Sequence, residues 1–201
     1  MRRKSILPFV ALVIAWLVPA LAVWWVATPL LAWPVARAAE LVSRAGFGDL
    51  VQSVEQHEDH SGEYAIVFIT SLKPARASTE ASESGVMSVE SNFRKFAFGL
   101  PMLFALVLAA RQPHPWRKLL IAYAVLAPFE TWGVVCDFLK QIAFDGGPDV
   151  ASQTGFNAAQ REAIAFAYQF GVLILPTVAP AVFWVLAHRR FLECFGAPRQ
   201  A

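Results

Sequence analysis

The sequence predicts an all-α membrane protein of four transmembrane helices, with a small β-containing extracytoplasmic segment between the first and second. Three observations lead there. Of the 201 residues, 57% are hydrophobic and only 16% charged, against about 25% charged in an ordinary soluble domain. Tryptophan occurs seven times, and such rings collect at the membrane interface, where the body is buried and the N–H stays wet. Four apolar runs recur along the chain, and about 20 apolar residues suffice for a helix to cross the hydrocarbon.

The first run, Ile6 to about Val35, follows Arg2, Arg3 and Lys4 and is interrupted only by Thr28 and by Pro8, Pro19, Pro29 and Pro34. A basic start and an apolar run also describe a signal peptide, with Ala36-Arg37-Ala38 as a possible cleavage site. Secretory cores are about 7 to 15 residues long, so an uncleaved anchor is expected. The second run begins near Asn92 and ends at Ala110. A short basic turn with Arg111, His114, Arg117 and Lys118 leads into the third, Leu119 to about Leu139. The fourth extends from about Ala163 to Ala187 and contains Pro176 and Pro180, which are expected to kink it.

Lysine and arginine in short loops mark the cytoplasmic side. With the N-terminus inside, the cytoplasmic pieces hold nine basic residues, from Arg2 to Arg199, and one acid, Glu193. The outer pieces hold twelve of the fifteen acids. An N-in, C-in topology follows. The formal net charge of +2 is small and dispersed, which excludes the clustered basic face of a nucleic-acid binder. The lipid bilayer is the implied environment.

Three regions result: a transmembrane helix over 1–35, an extracytoplasmic segment over 36–91, and a three-helix membrane region with a cytoplasmic tail over 92–201. Within the middle region Tyr64 to Leu72 is rich in branched and aromatic residues and reads as a strand. Leu50 to Val54 and Val86 to Val89 are candidate partners, with a turn at Asp59 to Gly62. Lys73 to Gly85 is polar and aperiodic, and reads as a flexible loop.

Ionisable groups inside a span cost about 2.5 to 3.5 kcal/mol on insertion scales, which singles out Glu130 and Asp137. Tyr123, Glu130 and Asp137 are spaced by seven residues, so one helix face carries all three toward the bundle. Glu130 lies nine residues before Leu139, about 13 Å below the outer surface. It is expected to be neutral or hydrogen-bonded there, with Tyr168 or Gln169 of the fourth span as its partner. Asp137 is expected to pair with Lys140 one turn later. Cys136 is expected to be a packed apolar thiol, and Cys194 lies across the membrane from it, so no disulfide joins them. His57-Glu58-Asp59-His60 brings metal-binding residue types together in a predicted turn, without the distant ligands of a true site. No catalytic residue, cofactor or metal is assigned.

The stretches VESNFRKFAFGLPMLFALVLAA, ETWGVVCDFLKQIAF and EAIAFAYQFGVLILPTVAPAVFWVLAHRRFL resemble the small exosortase H-associated membrane proteins of bacteria. The features are Asn92 ahead of Gly99-Leu100-Pro101, Trp132-Gly133, and Tyr168-Gln169 with Leu175-Pro176, and they cover about the last 115 residues. Family members tend to carry tyrosines where this chain has Phe96 and Phe98. The resemblance implies a bacterial inner-membrane companion of an exosortase, a membrane cysteine transpeptidase acting on proteins with a C-terminal sorting signal. On that reading the chain is a non-enzymatic accessory protein that binds the transpeptidase or its substrate, with Glu130, Asp137, Tyr123, Tyr168, Gln169 and Asn92 as binding or packing residues. The rival readings are a small intramembrane enzyme using Cys136, Asp137 and Glu130, and a transporter subunit with Glu130 as the coupling carboxylate.

Overall fold

A computed structural model describes residues 6–58, 64–73 and 87–196. The first helix, α1 (Ile6–Phe47), is 42 residues long, which is about 63 Å and twice the thickness of the hydrocarbon. It runs 12 residues past the expected end near Val35. Hydropathy stops there but helical chemistry does not. Glu40 pairs with Arg37 at 3.0 Å and with Arg44 at 3.1 Å, and Ala36, Ala39 and Ser43 continue the buried face.

A three-residue turn leads into an antiparallel meander of β1 (Val51–Glu58), β2 (Tyr64–Thr70) and β3 (Ser88–Asn92), in the order β1-β2-β3. The strand expected from Tyr64 is therefore present, while β1 runs through His57 and Glu58 rather than stopping at Val54. The third strand starts two residues later than expected. The expected turn at Asp59 to Gly62 and nearly all of the expected loop from Lys73 to Gly85 lie outside the described residues. Val54, Phe68 and Val89 stand side by side across the sheet, and all three are buried. Their face meets the helices, where Phe68 stacks on Phe138 with centroids 4.4 Å apart. Tyr64 closes the same face and donates to Gln56 Oε1 at 2.5 Å. Burial, and after it the nearby Glu58, push its phenol above the ordinary range, so the hydroxyl stays a neutral donor.

After the sheet come α2 (Arg94–Ala97), α3 (Gly99–Ala109), α4 (Pro115–Lys140), α5 (Gly147–Gln153), α6 (Ala158–Gln169), α7 (Leu175–Ala187) and α8 (Arg189–Gly196). A π-helical turn, Gln141–Asp145, follows α4, and another, Phe170–Ile174, joins α6 to α7. Among the described residues three helices are long and apolar enough to cross a membrane: Ile6–Phe47, Pro115–Asp145 and Ala158–Ala187. The expected second span is different, because it divides into α2 and an α3 of 11 residues, only about 16 Å long. Pro101 explains the break, since it has no N–H to offer the Ala97 carbonyl. Pro176 and Pro180 lie inside an unbroken α7, and the π turn ends just before the first of them.

Both ends of the assembly are tied. Phe9, near the start of α1, stacks on Trp184 near the end of α7 at 5.9 Å, and Phe47 at the other end of α1 meets Phe156 ahead of α6 at 6.2 Å. The sheet sits at the second end, where Gln141 Nε2 donates to the Glu90 carbonyl at 2.7 Å. The four rods therefore alternate in direction: α1, α2 with α3, α4, and α6 with α7. Away from these contacts the surface is apolar, with Trp16, Trp25, Trp33 and Trp132 among the exposed side chains. Such a belt is what lipid requires. Arg94 at the start of α2 lies 3.7 Å over the Trp25 ring, a cation–π contact that fixes α2 against α1.

Candidate functional site

The inward stripe of α4 organises the polar chemistry of the bundle, but it does so at three separate places. At seven-residue spacing each member is about 10 Å from the next along the axis. Tyr123 Oη donates to the Leu31 carbonyl of α1 at 2.6 Å. Glu130, 4% exposed, faces a small cavity among α2, α3, α4 and α7. Asp137, also 4% exposed, reaches the sheet.

At Asp137 the geometry departs from the expected pairing with Lys140. Asp137 Oδ2 accepts from Ser91 Oγ of β3 at 2.7 Å and has a longer contact of 3.4 Å with Gln141 Nε2. Lys140 turns instead to Asp145 at 2.5 Å. Ser91 is completely buried, so a hydrogen bond to a carboxylate, which is among the stronger kinds, answers its burial. Together with Gln141 on the Glu90 carbonyl and Phe68 on Phe138, this contact fixes the sheet to the end of α4. A double-mutant cycle with Ser91→Ala and Asp137→Asn will show a coupling of about 1 kcal/mol or more in unfolding measurements, as for a buried hydrogen bond with a charged partner. Additive effects would remove the bond from this account.

At Glu130 the expected partners are elsewhere. Glu130 Oε2 is enclosed and has no hydrogen-bond partner. Tyr168 lies under the Lys140 ammonium, 5.5 Å from its ring centroid, and Gln169 is exposed on the outer side of α6. Helix register is the reason. Gly133 and Gly171 sit back to back, since a Cβ on Gly171 would lie 3.2 Å from Gly133 Cα. That register sets Glu130 level with Pro176 and puts Tyr168 more than a turn nearer the sheet. The cavity, about 10 Å³, is lined by Phe96, Leu100, Leu126, Phe129, Glu130 and the Pro176–Pro180 turn.

Asn92, at the end of β3, accepts from the Arg94 amide at 3.0 Å through Oδ1, which sets the turn from strand to α2. Cys136 is buried beside Asp137, while His188 is buried at the opposite end of the bundle, with Nδ1 3.0 Å from the Trp184 carbonyl. His57 and Glu58 belong to β1, and Asp59 and His60 lie outside the described residues. No three His, Cys, Asp or Glu side chains converge as a metal site among the described residues.

Sequence reasoning missed Ser91, Gln141 and the close approaches of Gly99, Gly133 and Gly171. A Cβ on Gly99 would lie 2.0 Å from the Pro176 carbonyl oxygen and one on Gly133 2.3 Å from the Phe96 ring. The signal is present in Gly99-Leu100-Pro101, Trp132-Gly133 and Phe170-Gly171, but nothing local says which helix each glycine meets.

A family model described as the exosortase H-associated membrane protein matches residues 3–191. The chain belongs to the exosortase H-associated membrane protein family. The match is wider than the motifs of the last spans, since it takes in α1 and the whole sheet. The Gly-Leu-Pro of this exosortase H-associated protein is the start of α3, and its Trp-Gly is the point where α4 admits Phe96 and Gly171. No curated protein and no solved structure matches the chain.

Proposed function

We propose that this exosortase H-associated protein is a non-enzymatic accessory subunit that binds the transpeptidase, or the substrate it sorts, on the outer side of the bacterial inner membrane. The observation that carries the reading is the sheet clamped to the bundle through Ser91–Asp137 and Phe68–Phe138. Small sheets gain their stability from a buried apolar face and from packing on helices; seated on α1 and α4 this one becomes a fixed platform, which is what recognition needs and what a flexible tether would not supply. Against the intramembrane enzyme, Asp137 is committed to Ser91 and the buried Cys136 thiol lies at the opposite end of the bundle from the buried His188. Co-expression tests the proposal: the protein will co-purify from solubilised membranes with exosortase or with an uncleaved sorted substrate. Capture of neither would defeat it.

The same proposal takes α2 with α3 as a short fourth crossing, which gives an N-in, C-in topology. The alternating rods support it, because the turn at Arg111 to His114, the start of α1 and the end of α7 share the end opposite the sheet. Reporter fusions at Ser82 and Gly147 will be active outside, and those at Pro113 and Ala201 inside. An outside signal at Pro113 would rule the topology out.

Catalysis by the thiol makes a contrary prediction. Under the accessory reading Cys136→Ala will leave substrate processing at the wild-type rate in cells. Loss of processing at unchanged protein level would favour the enzyme.

A further inference from the structure

We infer that the cavity between α3, α4 and α7 binds a single water molecule, held between the Glu130 carboxyl and the Pro176 carbonyl. The inference is independent of the partner. Its first ground is Glu130 itself: the side chain is 4% exposed, and Oε2 is enclosed with no partner in the protein. Buried polar atoms nearly always have a partner, protein or ordered water, and leaving one without costs about 1 to 3 kcal/mol.

The second ground is on α7. In a regular helix the Pro176 carbonyl would accept from residue 180, but that residue is proline and has no N–H. The nearby Thr177 hydroxyl goes to the Leu173 and Ile174 carbonyls instead, at 3.1 and 3.0 Å. Gly99 brings α3 so close that a Cβ there would lie 2.0 Å from this same oxygen. The Glu130 carboxyl, with Oε2 unpartnered, and the Pro176 residue, whose carbonyl has lost its regular helical donor at Pro180, therefore border one space.

Size decides the guest. The cavity measures about 10 Å³, at the lower limit of about 10 to 15 Å³ that admits one water. Apart from Glu130 its side-chain lining is apolar: Phe96, Leu100, Leu126, Phe129, Leu175, Pro176 and Pro180. A water has the donors both oxygens need, and it can equally accept from a protonated carboxyl while donating to Pro176. The bridge restores across α4 and α7 the hydrogen bond that Pro180 removes from within α7.

Water-edited solid-state NMR on the full chain in lipid bilayers, labelled with 13C-glutamate and 13C-proline, tests this. Magnetisation from water protons will reach the Glu130 carboxyl carbon and the Pro176 carbonyl carbon, with Glu130 assigned by its disappearance in Glu130→Gln. Glu130→Gln will retain the transfer to Pro176, because the amide still holds the water. Glu130→Leu will lose it. Should the leucine variant fail to accumulate, the wild-type and glutamine spectra decide the matter alone. No transfer to either carbon in wild type, or undiminished transfer to Pro176 in a folded leucine variant, would overturn the inference.

Discussion

Gly99→Ala will lower the unfolding temperature of the purified protein and its abundance in the membrane, by a loss of about 3 kcal/mol, the upper part of the usual overpacking range. The added methyl would lie 2.0 Å from the Pro176 carbonyl oxygen and 2.6 Å from Pro180 Cγ. Neither neighbour can step aside by a rotamer change. Relief requires α3 to move bodily away from α7, which would open contacts around Leu100 and Leu103, both buried. Gly133→Ala will be milder, because the three atoms nearest its methyl all belong to the Phe96 side chain rather than to backbone. Gly46→Ala near the end of α1 meets nothing within 4 Å and will be neutral or stabilising by about 0.5 kcal/mol, as alanine is the better helix former. Thermal unfolding of the three variants in nanodiscs gives the order. A Gly99→Ala protein as stable as wild type would contradict the packing of α3 on α7.

Phe138→Ala will detach the sheet. The ring is completely buried and stacks on Phe68 at 4.4 Å with an interplanar angle of 16°, and removing a buried phenylalanine costs about 3 to 5 kcal/mol. That loss falls on the junction between sheet and helices rather than on the bundle as a whole. Limited proteolysis of the full protein in bilayers will therefore cut within β1 to β3 much faster than in wild type, while fragments containing α4, α6 and α7 persist. Partner capture will fall with it if the sheet is the recognition platform. Asp137→Ala will act in the same direction but more weakly, at about 1 to 3 kcal/mol for the stranded Ser91 hydroxyl. Unchanged protease protection in Phe138→Ala would show that other contacts seat the sheet.

Much of this arrangement was legible in the sequence. The long apolar runs, the strand from Tyr64 and the inward face of Tyr123, Glu130 and Asp137 all follow from composition and period. Boundaries that depend on tertiary support did not. Hydropathy ends α1 near Val35, yet Glu40 with Arg37 and Arg44 carries the helix on to Phe47. Pro101 divides what looked like one span, since a proline shows where a helix weakens but not which way the chain then turns.

Partnership was the least legible level. Lys140 is the nearest cation to Asp137 in sequence, but the bond comes from Ser91, 46 residues away, because only the docked sheet brings β3 to α4. Tyr168 and Gln169 looked level with Glu130 when depth was counted from the ends of the apolar runs. The contact of Gly133 with Gly171 sets a different register and leaves them near Lys140. Short-range spacing determines which face a residue occupies, whereas the opposing residue depends on how two rods slide past each other.

The length of α1 makes the protein a gauge. About 18 Å of helix, from Ala36 to Phe47, separates the end of the apolar run from the turn into the sheet, and the Arg37–Glu40–Arg44 pairs run along it. The sheet is thereby held at a set height and azimuth over the apolar run, by α1 beneath it and by α4 through Ser91–Asp137 and Phe68–Phe138. Inserting seven residues after Ala38 would push the turn into the sheet about 10 Å along the axis while nearly preserving its azimuth, so that either the sheet leaves Asp137 and Phe138 or the lengthened helix buckles, whereas inserting five would push it less and turn it by more than a quarter circle.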